Sequence, residues 1–101
     1  MAFYTLIILF FSGAFLANSV PHYVNGISGR KFPTPFSNPP GKGLSSPIVN
    51  VFWSLANLII ALILIYFVKP IQISFNLGTL SLLFGAIIIS LFNAYIFGRN
   101  N

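Results

Sequence analysis

Three apolar runs without a single charge, each about as long as a bilayer is thick, leave this chain few ways to fold. The first, 2–20 (AFYTLIILFFSGAFLANSV), holds about 19 residues, and as a helix rising about 1.5 Å per residue it spans roughly 28 Å, close to the thickness of a hydrocarbon core. The second covers 47–68 and the third 74–97. In lipid every backbone N–H and C=O must be satisfied within the protein, so runs of this length and spacing are read as helices. The expected fold is an all-α integral membrane protein. Residues 1–101 form a single transmembrane domain of three transmembrane helices, with a Pro/Gly-rich interfacial loop at 21–46 after the first.

Composition supports the same medium. Hydrophobic residues make up 56% of the chain and charged residues 5%, with a mean hydropathy of +0.91; soluble domains carry about 25% charged residues. A folded chain of this size would leave large apolar patches in water. The first run also has the position and the small-residue end (Ala17, Asn18, Ser19) of an export signal. No Lys or Arg precedes it, however, and Phe15 stands where a small residue is preferred, so a retained helix is expected.

Local punctuation sets the boundaries. Pro21 is expected to stop the first helix, because proline lacks a donor and clashes with the preceding turn. Prolines 21, 33, 35, 39 and 40 then alternate with glycines 26, 29, 41 and 43, which excludes regular helix or sheet. Tyr23, Val24, Ile27, Phe32, Phe36 and Leu44 recur among these turns, pointing to a loop laid on the membrane surface or across helix ends. Ser46 is placed to cap the second helix and Pro47 to occupy its first position. Lys69-Pro70 ends that helix, and the short connection that follows predicts that the last two helices form an antiparallel hairpin, side by side.

The chain has five Lys or Arg and no Asp or Glu. Arg30, Lys31, Lys42, Lys69 and Arg99 all flank the apolar runs and form no dense stripe, so they are read as headgroup anchors, and nucleic acid is not an expected partner. With three spans, Arg30, Lys31, Lys42 and Arg99 share one side and Lys69 the other. The positive-inside rule then places the 21–46 loop and the C-terminus in the cytoplasm and the N-terminus outside, as in a bacterial inner membrane.

Polar and small residues mark the faces where helices meet. Gly13 and Ala17 form a small pair beside Asn18 in the first helix, and Asn50, Ser54, Asn57 and Ala61 form one stripe in the second. Ser74, Gly78, Ser81 and Gly85 form another in the third, continued by Ala86, Ser90 and Asn93 on a neighbouring face. Asn57 falls near mid-membrane, where an unpaired amide is costly, so it is expected to bond another helix; the alternative is a watered cavity. At the predicted boundary, His22, Asn25, Arg30, Lys31 and Lys42 gather beside glycine turns and form a candidate site for a lipid headgroup or another anion. The glycine spacing matches no phosphate-binding loop, so structural turns with interfacial cations compete with that reading.

The inventory excludes much chemistry. Without carboxylates there is no paired-acid site, no Ser-His-Asp triad and no oxygen cage for a cation. With one His and no Cys there is no zinc site in one chain, so neither metal nor cofactor is expected, and enzymatic activity has no recognisable constellation. The remaining expectation is a small structural or accessory subunit of a membrane complex, its partners being membrane lipid and another membrane protein or a second copy. The alternative is a homo-oligomeric channel or carrier for a small neutral or anionic solute, lined by Asn50, Ser54 and Asn57.

Overall fold

A computed structural model of the protein describes residues 2–99. It contains α1 (Phe3–Ile27), α2 (Pro47–Val68) and α3 (Leu77–Gly98), and among the described residues the only strand-like pairing is one antiparallel bridge between Phe32 and Ser45. All three helices are long and apolar enough to cross a membrane. The all-α class and the position of α2 agree with the sequence reading, and α3 starts three residues later than the expected 74.

α1 does not stop at Pro21 but runs through it to Ile27. Proline costs most where the freed carbonyl cannot be compensated, and in a membrane helix neighbouring helices and side chains supply that compensation. Here Pro21 removes the donor to the Ala17 carbonyl, and the far turns of α1 are held against α2 at Gly26 and His22, which keeps the chain helical past it. The helix ends instead at Ile27, and the chain turns away at Gly29, whose φ of +75° suits a residue without a Cβ. Arg30 N–H bonds the Asn25 carbonyl at 2.9 Å and Gly29 N–H the Gly26 carbonyl at 3.1 Å, which closes the last turn as a Schellman motif. The loop after α1 is therefore 28–46, not 21–46.

α2 begins as its sequence dictates: Ser46 Oγ accepts from Val49 N–H at 3.2 Å, with Pro47 in the first turn. At α3, Asn76 is the cap, its Oδ1 accepting from Thr79 N–H at 2.9 Å.

The side-by-side hairpin of the last two helices is not what forms. α1 packs against both α2 and α3, whereas no Cα atom of α2 lies within 8 Å of one of α3. The registers show α1 antiparallel to α2 (His22 with Asn50, Ser12 with Ala61) and parallel to α3 (Leu6 with Ser81, Asn18 with Asn93). α2 and α3 thus keep opposite directions but flank α1 as two separate neighbours. The reason lies on α1, which carries two interfaces. Gly26 meets α2 at Pro47 and Val51, while Gly13 meets the α3 backbone at Leu82 and Ala86. Gly85 of α3 lies equally close to the Phe10 backbone. Small residues let the backbones approach, and dispersion and hydrogen bonds hold them where lipid offers no hydrophobic drive.

The interior is more polar than the exterior. Among the described residues, Leu9, Ala61 and the Pro33 ring are the buried apolar side chains, against eight buried polar ones, while Phe52, Phe67, Phe84, Leu91 and Tyr95 face outward. Water would reverse that arrangement; hydrocarbon favours it.

Candidate functional site

The buried polar groups form two connected systems. The first crosses all three helices. Asn93 Nδ2 of α3 donates to Asn18 Oδ1 at 2.8 Å, Asn18 Nδ2 of α1 donates to Asn57 Oδ1 at 3.0 Å, and Asn57 Nδ2 of α2 donates to the Trp53 carbonyl at 2.8 Å. Each amide is donor to the next, so the dipoles align and reinforce one another. Asn57, fully buried, has the interhelical partner its depth requires. Nearby, Ser12 Oγ donates to the Ala61 carbonyl and Ser81 Oγ to the Leu6 carbonyl, while Ser54 Oγ turns back to the Val51 carbonyl.

The second system ties the loop to the helices. Asn50 Nδ2 lies within bonding distance of three carbonyls, those of Phe32 (2.9 Å), Ser46 (3.1 Å) and Ser45 (3.3 Å). Its orientation is fixed by them, so Oδ1 faces His22 Nδ1 at 2.8 Å. An amide oxygen only accepts; His22 Nδ1 must therefore carry a proton, and in the neutral ring Nε2 keeps the lone pair. Around the imidazole stand Phe32, Phe97 and Trp53, with ring centroids at 5.4, 6.3 and 6.4 Å in edge-to-face arrangements. The loop closes over this end: Phe32 and Ser45 exchange backbone bonds, Thr34 and Ser45 share a hydroxyl bond, and the Thr34 carbonyl accepts from Ser37 Oγ and Gly41 N–H.

His22 is only 2% exposed, whereas Arg30, Lys31 and Lys42 lie on the surface. The expected cluster is thus divided. Arg30 Nε donates to Asn25 Oδ1 at 3.0 Å, keeping those two together, while His22 turns inward to Asn50. Asn50, Ser54 and Asn57 share one face as the spacing predicts, and all three are buried. Two participants escaped the sequence reading of the site, Asn18 and Asn93. Each was visible as an amide beside a small-residue stripe, but nothing in one sequence says which stripes meet.

Between α2 and α3 a cleft of about 350 Å³ remains, lined by Trp53 of α2, by Phe92, Asn93 and Phe97 of α3, by His22 and by prolines of the loop. Among the described residues no group of acidic, His and Cys side chains is able to hold a metal. The fold and its inward polar groups define an integral membrane protein of three apolar helices. No family model, curated protein or solved structure matches the chain.

Proposed function

We propose that the protein is a structural or accessory subunit of a membrane complex, seated in a bacterial inner membrane with its loop and C-terminus cytoplasmic. The observation that carries this reading is the disposition of polar groups. Asn18, Asn50, Asn57 and Asn93 are engaged within the three-helix unit, and the outward faces of α2 and α3 are rows of Ile, Leu and Phe. Such faces suit lipid and other helices and offer a passing solute nothing to bond. At the loop end, exposed Arg30, Lys31 and Lys42 supply cations without internal counter-charges, which suits anionic headgroups.

The test is the mass of the particle extracted with its native lipid. A stoichiometric complex with a second membrane protein is the expected result. A symmetric ring of this chain with Asn57 turned to a wet axis would overturn it in favour of a channel. For the headgroup site, neutralising Arg30, Lys31 and Lys42 together should reduce co-purifying anionic lipid; an unchanged lipid profile removes that part of the reading.

A further inference from the structure

One polar atom in the molecule is prepared for a bond it does not make. His22 Nδ1 is committed to Asn50, which leaves the Nε2 lone pair, and among the described residues nothing donates to it. No buried side-chain nitrogen or oxygen of the described residues lacks a partner. Nε2 must therefore reach open space, and since His22 is 2% exposed and lines the cleft between α2 and α3, that space is the cleft. Asn93 lines the same cleft, its Nδ2 spent on Asn18 and its Oδ1 free of a partner among the described residues. The cleft thus presents these acceptors in a mostly apolar wall that also includes Trp53, whose indole N–H is a donor.

Its shape and charge narrow the occupant. Trp53, Phe92, Phe97 and the prolines of the loop provide flat surfaces, as a ring requires. A volume of about 350 Å³ lies at the small end of ligand sites, enough for one ring and the start of a tail. A cation would find no Asp or Glu in the chain, and an anion would oppose the imidazole lone pair, so the chemistry of the cleft favours a neutral head. Phe92 is exposed and stands beside Asn93 on the outward side of α3, so the cleft meets the lipid phase.

We propose that this cleft binds the head of a neutral, lipid-borne ring bearing a hydroxyl, the hydroxyl donating to His22 Nε2. The Asn50–His22 pair acts as a positioning device, since Asn50, held by three carbonyls, fixes the tautomer that leaves Nε2 unprotonated. The ring has two sources, a phenol or hydroquinone and an alicyclic alcohol, which share this chemistry.

Trp53 is the chain's one tryptophan and lines the cleft, so its emission reports occupancy. The full chain in nanodiscs of zwitterionic lipid is titrated with an alkylated bromophenol, a contact quencher with a hydroxyl, and with its O-methyl ether. An alkylated bromocyclohexanol and its ether make the second pair. Saturable quenching by either alcohol, weakened roughly 5- to 10-fold in its ether, is the expected result, and the pair that shows it identifies the source. His22→Asn keeps a donor where Nδ1 stands and removes the acceptor at Nε2; in the folded variant it should weaken the same binding roughly 5- to 10-fold. Equal quenching by alcohol and ether in both pairs would overturn the proposal, and so would undiminished binding to a folded His22→Asn. Should that variant fail to fold, the ether comparison on the unaltered chain decides alone.

Discussion

Gly13 of α1 and Gly85 of α3 are the two halves of one helix crossing. A Cβ on Gly13 would land inside the contact radius of the Leu82 carbonyl oxygen, and one on Gly85 would do the same to the Phe10 carbonyl oxygen. In both cases the obstacle is backbone, which has no rotamer by which to yield. The helices are consequently close enough for Ser81 Oγ to reach the Leu6 carbonyl at 2.6 Å.

Gly85→Leu should therefore force α3 off α1 and destabilise the fold by at least the cost of overpacking, about 1 to 3 kcal/mol. Gly13→Leu should do likewise. Gly98→Ala is the control, because a Cβ there meets nothing within 4 Å. Thermal unfolding in detergent should show a large loss for the first two variants and a change within about 0.5 kcal/mol for the third.

The amide chain yields a coupling. Asn18→Leu removes the acceptor for Asn93 and the donor to Asn57, and should cost about 1 to 2 kcal/mol, the upper range for polar pairs between membrane helices. Asn57→Leu breaks the same Asn18–Asn57 bond. The double variant should be less destabilised than the sum of the two, and strict additivity in a double-mutant cycle would show that the bond contributes nothing.

Asn50→Leu should release the loop more than the helices. It strands the His22 N–H and unties the loop from α2, although the Phe32 carbonyl keeps its bond from Ser45 and the Ser46 carbonyl its bond from the Asn50 backbone. A loss of about 1 to 3 kcal/mol is expected, with faster tryptic cleavage at exposed Arg30, Lys31 and Lys42 than in the unaltered chain. Cleavage at an unchanged rate would mean that Phe32, Thr34 and Ser45 hold the loop without Asn50.

How much of this was legible depended on whether the signal was local. Ser46-Pro47 marks the start of α2 because a cap and a missing donor act within one turn, and the Asn50–Ser54–Asn57 face follows from helical spacing alone. Pro21 misled because its cost depends on what surrounds it: the seat of His22 on Asn50 and the close approach of Gly26 to α2 keep α1 helical six residues further. The neighbour relations were hidden for a similar reason. A short link between α2 and α3 limits the distance between their ends, yet it does not outweigh Gly13 and Gly26, which draw each helix to α1 instead. The His22 site was legible in its residue and not in its role, since the partner that fixes its tautomer lies 28 positions away.

Orientation supplies the last prediction. His22, Asn50 and Phe97 meet at one end of the helices, so Arg30, Lys31 and Lys42 of the loop and Arg99 after α3 lie at that end, while Lys69 follows α2 at the other. The imbalance is four cations to one, drawn from five in all. Positive charge close to the spans is retained on the cytoplasmic side, and the chain has no acidic residue to obscure the count. The sequence contains no cysteine, so a single Lys42→Cys or Gln72→Cys gives an unambiguous label. In intact cells an impermeant maleimide should modify Gln72→Cys and spare Lys42→Cys until the membrane is opened. The reverse pattern would mean that insertion is governed by something other than these cations, and the cytoplasmic placement of the loop would fall with it.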